Sequence, residues 1–322
     1  MSNFRTELHI EENPDKIEYN AKILSLGSGF SNILMDQFSK FGFQVLSNPY
    51  GTIYNPLSIF ESIGLSVANQ APDPMRITQS QDQWNHFDFH SLGNNTSESQ
   101  LINALKASIN STNNYLRETG FLFMTFGSAY AYRHNPTGKI VANCHRAPRK
   151  DFDKVLLSVE EIVEGFRSIY GSLNNVKNII LMVSPIMHTG DSITLNSVSK
   201  STLRLACHQI LSEFPHVKYF PALEFLTSDL RGYQFYNKDL IHPTDQAMDY
   251  IFEKMIDAYV DEASKKLISE VKSIIDELDD SPYNPQSENY KNKIQKALEK
   301  IEALNKEMDL SGLLKELKNK AL

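Results

Sequence analysis

The sequence has few cysteines, no long apolar run and no excess of positive charge. Its 322 residues include only two cysteines, Cys144 and Cys207, which are too few for a disulfide framework or a thiolate metal site. The formal net charge is −7 and no basic cluster is present, which argues against nucleic acid as the main partner. No apolar run approaches the length that spans a bilayer, so we expect no membrane partner either.

The N-terminal segment is also without an apolar stretch. Its first 16 residues, MSNFRTELHIEENPDK, are polar and do not resemble a secretory signal, so we expect a cytoplasmic location. Hydrophobic residues make up 41% of the chain, which is enough for one large α/β core with an appendage or for two modest domains.

Short apolar segments alternate with longer segments of helical periodicity. Strands are predicted at residues 23–26, 44–46, 121–125, 179–183 and 217–220, and helices at 31–41, 101–118, 158–173 and 197–214. Continuous apolar strands separated by helices predict an α/β fold whose parallel sheet is covered on both faces. Because the carboxyl ends of parallel strands meet at one edge, the dipeptides at 27–28, 127–128 and 184–185 should converge there.

Two stretches interrupt this alternation. Residues 72–95 are polar and predicted to form a loop, and residues 129–148 are predicted to form a hairpin with its turn at 135–138. A last amphipathic helix is predicted at 244–259, with Pro243 at its first turn.

The composition changes to Lys, Glu, Leu and Ala beyond about residue 262. We therefore expect a main domain at 1–262 and a C-terminal helical extension at 263–322, interrupted by prolines at 281–285. The apolar stripe of the extension should pack on the domain itself or, in a homo-oligomer, on a second protomer.

Ser28 is the first candidate for chemistry. It follows the first predicted strand in a glycine-serine turn, which can expose a nucleophile if a base accepts its proton. The turn is not a Gly-x-Ser-x-Gly elbow, because Leu26 occupies the position of the first glycine. Taken alone, a serine in this position more often caps the next helix.

Asp239 and His242 stand on one short segment before the last predicted helix. This spacing allows the carboxylate to hold the imidazole in one tautomer, as in a Ser/His/Asp triad. The alternative is that His242 marks a helix N-terminus and Asp239 a turn.

Other polar side chains give weaker indications. His86, Asp88 and His90 alternate and could bind a metal, although such a set is more often a polar loop packed by aromatic side chains. Residues of the predicted hairpin could bind an anionic or carbohydrate substrate, or be an ordinary surface; they are Arg133, His134, His145 and Arg146. His188 follows a strand at the expected active edge and could contact substrate or solvent.

Together these segments resemble the GSCFA family, which is related to the SGNH (GDSL-like) hydrolases. The matching segments are LGSGFS at 26–31, NPYGTIYNP at 48–56, WNHFDFHS at 84–91, TFGSAYAYRH at 125–134, VANCH at 141–145, VSPIMH at 183–188 and DLIHP at 239–243. The resemblance covers roughly residues 5–295, including the YNP of 283–285.

The resemblance implies a three-layer α/β/α sandwich of the SGNH, flavodoxin-like kind and a hydrolase that acts on esters. By analogy, the N–H of Gly51 would contact the oxyanion. Two positions depart from the pattern. Gly29 replaces the family cysteine, and Ala129 stands where the superfamily has an asparagine, so that Ser128 would have to supply an oxyanion contact.

Two hypotheses follow from the residues and the resemblance. In the first, the protein is a serine hydrolase of a small-molecule or carbohydrate ester, with Ser28 as nucleophile, His242 as base and Asp239 orienting it. It would need no metal or other cofactor, and Arg133, His134, His145 and His188 would bind substrate. In the second, the protein is a non-catalytic member of the fold that binds a ligand or glycan. Gly29 and Ala129 favour the second hypothesis, and the Asp239/His242 pair favours the first.

Overall fold

Side chains of the central strands alternate between two apolar cores. Ile23 belongs to one buried cluster and the next residue, Leu24, belongs to the other. Because successive side chains of a strand point to opposite faces, these strands must be covered on both sides. The computed structural model describes residues 7–90, 95–188, 190–279 and 287–320, and it shows such a sheet.

Five of the strands form one parallel sheet. The strands of the described residues are β1 (Lys22–Gly27), β2 (Gln44–Ser47), β3 (Ile77–Ser80), β4 (Gln83–His86), β5 (Thr119–Phe126), β6 (Tyr130–His134), β7 (Lys139–Val141), β8 (Phe152–Leu156), β9 (Asn178–Val183) and β10 (Val217–Tyr219). The central sheet has the order β10-β9-β5-β1-β2, and all its pairs are parallel. Numbered within this sheet, the order is 2-1-3-4-5, as in flavodoxin-like folds. The five predicted strands and their parallel arrangement are confirmed.

Helices cover both faces of the sheet. They are α1 (Gly29–Lys40), α2 (Pro56–Ala68), α3 (Glu98–Leu116), α4 (Val159–Tyr170), α5 (Ile193–Glu213), α6 (Ala222–Glu224), α7 (Asp245–Tyr259), α8 (Glu262–Asp279), α9 (Glu288–Leu304) and α10 (Ser311–Lys320). Residues of α1, α7 and the C-terminal helices share one core cluster, whereas residues of α2 to α5 share the other. This is an α/β fold consistent with a three-layer sandwich.

Several elements differ from the sequence-based prediction. Helix α2 was not predicted, although Asn55 caps it by accepting the Ser58 N–H and Pro56 occupies its first turn. The stretch predicted as a loop at 72–95 contains the antiparallel pair β3–β4. The predicted hairpin forms as β6–β7, and β8 adds a third strand to it.

Helices α8 to α10 pack on the side of the sheet that α1 and α7 cover. Buried side chains of α8 to α10, including Val271, Ile301 and Leu317, belong to the same core cluster as Phe38 and Phe252. The segment predicted as an interruption, 281–285, lies outside the described residues, as do 91–94 and 189. No helix among the described residues is long and apolar enough to cross a membrane.

Candidate active site

Three strand ends meet at one cavity. Ser28 follows β1, Gly127 follows β5 and Ser184 follows β9, and all three line a cavity of about 240 Å³. The predicted convergence of these turns is thereby confirmed. The complete lining consists of Ser28, Gly29, Tyr54, Gly127, Ser184, Ile186, Met187, His188, Ile241 and His242.

Ser28 is the N-cap residue of α1, but its side chain does not cap the helix. The residue is only 2% exposed, and its Oγ atom makes no hydrogen bond with any described residue. The backbone N–H of Ser28 donates to the carbonyl of Thr125 over 3.0 Å, which ties the turn to β5. The Ser28 hydroxyl is therefore not engaged by another described group at the cavity wall.

Asn48 holds the turn that presents Ser28. Its Oδ1 atom accepts the Gly27 N–H over 2.7 Å, and its amide nitrogen donates to Asn32 of α1 over 2.7 Å. Gly27 itself has φ +145°, and a Cβ there would lie 2.2 Å from the Thr125 carbonyl oxygen. The glycine and the asparagine therefore fix the strand-to-helix turn.

Asp239 and His242 form a bonded pair at the cavity. His242 Nδ1 lies 2.6 Å from Asp239 Oδ2, and Asp239 Oδ1 accepts the N–H groups of Ile241 and His242. These hydrogen bonds, the one from the His242 N–H first, lower the pKa of Asp239 to about 2, so the carboxylate is ionised at neutral pH. The arrangement leaves Nε2 of His242 as the ring nitrogen that can accept a proton.

The structure therefore brings Ser28 and His242 to the same cavity. Both residues line it, and no direct hydrogen bond joins them, because Ser28 Oγ has no partner among the described residues. The His242 side chain is half exposed. The Ser28 Oγ atom, by contrast, is buried at the cavity wall, so a substrate reaches it only through the cavity.

Gly51 and Ser128, expected to contact the oxyanion, have their N–H groups engaged elsewhere. The Gly51 N–H donates to Asn48 O over 2.8 Å, and the Ser128 N–H donates to Tyr54 O over 3.0 Å. The Ser128 hydroxyl accepts the Tyr130 N–H over 3.0 Å. Neither residue is part of the cavity lining, and neither amide is available to an oxyanion in this conformation.

The hairpin residues expected to bind substrate lie away from the cavity lining. Arg133 is exposed on β6, and His134 packs between the rings of Phe87 and Phe152, at centroid distances of 4.7 and 5.2 Å. His145 is buried, and its Nε2 donates to the carbonyls of His86 and Phe89. Its ring is used to hold the loop after β4. Of the four predicted substrate residues, only His188 lines the cavity.

In the segment 86–90, which was considered as a metal site, His86 and Asp88 form hydrogen bonds with other protein groups. Arg76 is 1% exposed and its Nε donates to both carboxylate oxygens of Asp88, over 2.7 and 2.8 Å. His86 Nδ1 accepts the Asp88 N–H, and its Nε2 donates to Asp73 O. Among the described residues, no group of three His, Cys, Asp or Glu side chains could hold a metal ion.

Sequence reasoning missed four residues of the cavity wall. Tyr54 stands in the NPYGTIYNP segment and stacks edge-on against His188, with ring centroids 5.8 Å apart. Ile186, Met187 and Ile241 make the wall largely apolar. Each of these three lies within two residues of His188 or His242. Their closeness in sequence to a candidate histidine was the feature that could have indicated them.

Comparison with known protein families gives a match. A family model described as the GSCFA family matches residues 22–255 of the 322. The matched range includes every residue of the cavity lining. No curated protein matches the chain.

Proposed function

The chain belongs to the GSCFA family, and from the contents of its cavity we propose that it is a serine hydrolase of the SGNH kind that cleaves esters. O-acylated carbohydrates are the substrate class to test first. One observation carries the proposal: an unbonded Ser28 hydroxyl and an Asp239-bound His242 ring line the same cavity, although they are far apart in the sequence.

The residues would act as in other serine hydrolases. Ser28 Oγ attacks the ester carbonyl carbon while His242 Nε2 accepts its proton. The protonated ring then gives that proton to the departing alcohol, leaving an acyl group on Ser28. Water, activated by the same ring, attacks the acyl group and releases the acid. Asp239 holds the ring and stabilises its positive charge during both steps.

Gly29 supports oxyanion binding in place of Gly51 and Ser128. Gly29 lines the cavity and is the first residue of α1. The first N–H groups of a helix have no acceptor within the helix. The N-terminus of a helix also favours negative charge. The Gly29 amide is therefore the donor we assign to the developing oxyanion. Ala129, which stands where the superfamily has an asparagine, is buried outside the cavity lining and supplies no donor.

A second function, ligand binding without catalysis, is favoured by the same glycine. A Cβ on residue 29 would have no heavy atom within 4 Å, so the position of the family cysteine is open space at the cavity wall. If the family's chemistry depends on that cysteine, this chain retains the cavity and has lost the reactive group.

Hydrolysis of acetyl and butyryl esters of p-nitrophenol and of acetylated sugars separates the two functions. We expect activity in the wild type, its loss in Ser28→Ala, and activity near the wild-type rate in Ser184→Ala. Ser184 is the matched control, because it is a second serine of the same cavity. Equal activity in Ser28→Ala and wild type, or no activity in a folded wild type, would contradict the hydrolase.

A further inference from the structure

A second histidine–aspartate pair adjoins the same cavity. His188 lines the cavity, and its Nδ1 lies 3.5 Å from Oδ2 of Asp191. The Asp191 side chain is fully buried, whereas the His188 side chain is 35% exposed. This pair lies after β9, and the Asp239/His242 pair lies before α7, so the cavity is flanked by two imidazoles.

The atoms that face each other in this pair have no other partner. Nδ1 of His188 and Oδ2 of Asp191 are both buried and both without a hydrogen bond among the described residues. The other carboxylate oxygen, Oδ1, is bound by Lys154, whose amine also lies 4.7 Å from the Tyr130 ring centre. Because leaving a buried polar atom unpaired is costly, a small closing movement that joins Nδ1–H to Oδ2 is favourable.

That hydrogen bond would determine whether the His188 ring donates or accepts a hydrogen bond in the cavity. Burial lowers the pKa of His188; nearby Asp191 raises it, and the more distant Lys154 and Lys200 lower it. The ring is therefore neutral at pH 7 and carries a single N–H. With Nδ1–H directed at Asp191, Nε2 keeps its lone pair and can only accept a hydrogen bond.

The orientation of the ring supports this assignment. Nδ1 is buried, and Gly190 packs against the same edge, where a Cβ would lie 3.2 Å from Cε1 and 3.4 Å from Nδ1. The Tyr54 ring stands edge-on to the imidazole. The exposed edge that lines the cavity is accordingly the edge that carries Nε2.

We propose that His188 selects the alcohol part of the substrate, by accepting through Nε2 a hydrogen bond from a hydroxyl next to the ester, and that Asp191 is its positioning residue. The inference rests on the proposed function and narrows its substrates to esters of polyols. The neighbouring wall is largely apolar, with Ile186 and Met187 directly before His188, so the His188 ring is the polar group on this part of the wall.

Nitrogen NMR of histidine-labelled Ser28→Ala protein tests the inference without requiring hydrolysis. The His188 signals are assigned by their loss in His188→Gln, with the exposed His208→Gln as the matched control. We expect the proton on Nδ1 in the parent protein and a mixed tautomer after Asp191→Asn. Glycerol 1-monobutyrate should shift the Nε2 signal, and propyl butyrate, which lacks free hydroxyls, should not. A proton on Nε2, equal shifts by both esters or no shift by either would overturn the inference.

Kinetics with the same two esters give a separate readout. A neutral hydrogen bond of this kind should favour the hydroxylated ester by about threefold to tenfold in kcat/KM, and His188→Phe should bring the ratio near one. A ratio that stays unchanged in His188→Phe would contradict the inference. Binding of monobutyrate at Nε2 by a wild type that hydrolyses neither ester would refute the hydrolase and leave the His188 contact standing.

Discussion

Gly127 lies directly against Ser28: a Cβ on residue 127 would come 3.1 Å from the Ser28 Cβ and 2.8 Å from the Tyr54 ring. The end of β5 therefore forms the wall against which the candidate nucleophile is placed. The absence of a side chain at this position is a requirement of packing, whatever reaction takes place in the cavity.

Gly127→Ala tests this contact. The added methyl group has to displace Ser28 or Tyr54, so we expect a loss of about 1–3 kcal/mol in the free energy of unfolding and a large loss of esterase activity. Gly29→Ala is the control, because its Cβ meets open space and its backbone is not in the left-handed region. Urea denaturation of both variants provides the comparison. Equal free energies of unfolding for Gly127→Ala and wild type would contradict the prediction, because Ser28 and Tyr54 would then accommodate the methyl group without loss of stability.

Gly29→Cys should create a reactive thiol. The new side chain would project into open space at the start of α1, where the helix N-terminus lowers a thiol pKa. The two native thiols are poor competitors, since burial raises the pKa of Cys144 to about 11 and that of Cys207 to about 12. The folded variant, treated with iodoacetamide at pH 7, should be alkylated at residue 29 only. Faster alkylation of Cys144 than of the introduced thiol would refute the open position.

Asp239→Asn should slow catalysis while leaving the local turn intact. Asparagine keeps an oxygen that accepts the Ile241 and His242 N–H groups, but it loses the charge that holds the imidazole. We expect kcat to fall by roughly 10²-fold to 10⁴-fold with little change in KM. Asp191→Asn, at the other histidine of the cavity, is the comparison and should alter substrate preference more than kcat. A mutant kcat close to the wild-type value would remove Asp239 from the mechanism.

Lys200 should make stability depend on pH above neutrality. Its amine is buried and donates to Gly127 O over 2.7 Å, and burial lowers its pKa to about 7. Between pH 7 and the ordinary lysine value the unfolded chain binds a proton that the folded chain does not, so the free energy of unfolding rises with pH. From pH 7 to pH 9 the gain is about 2 kcal/mol.

Lys200→Met should lose this pH dependence. Guanidinium denaturation of both proteins at pH 7 and pH 9 gives the difference in the free energy of unfolding between wild type and variant. Between the two pH values this difference should change by about 2 kcal/mol in favour of the wild type. A difference that stays the same at pH 7 and pH 9 would mean that Lys200 is protonated equally in the folded and unfolded states.

The central sheet could be predicted because its strands are continuous apolar segments between helices, a pattern that few other folds share. The cavity wall could be predicted in part for the same reason: strand ends meet at one edge, so Ser28, Gly127 and Ser184 had to approach each other. That Ser28 and His242 lie at the same cavity could be predicted only from the order of the strands and from the family resemblance.

The roles of the remaining histidines could not be predicted, because a histidine in the sequence does not reveal its partners. His145 and His188 each end a short segment of similar composition. The His145 ring donates to two backbone carbonyls, whereas the His188 ring lines the cavity. Likewise, the use of Gly51 in a turn depends on its contact with Asn48 O, a backbone atom that carries no sequence information.

Labelling with a fluorophosphonate, followed by mass mapping of the modified peptide, tests the central claim most directly. Such a probe reacts with a serine only where a base has activated its hydroxyl. The account predicts a label on Ser28 in the wild type and in Ser184→Ala, a strongly reduced label in His242→Gln, and none in Ser28→Ala. A folded wild type that takes up no label, or a label on another residue that persists in Ser28→Ala, would contradict it.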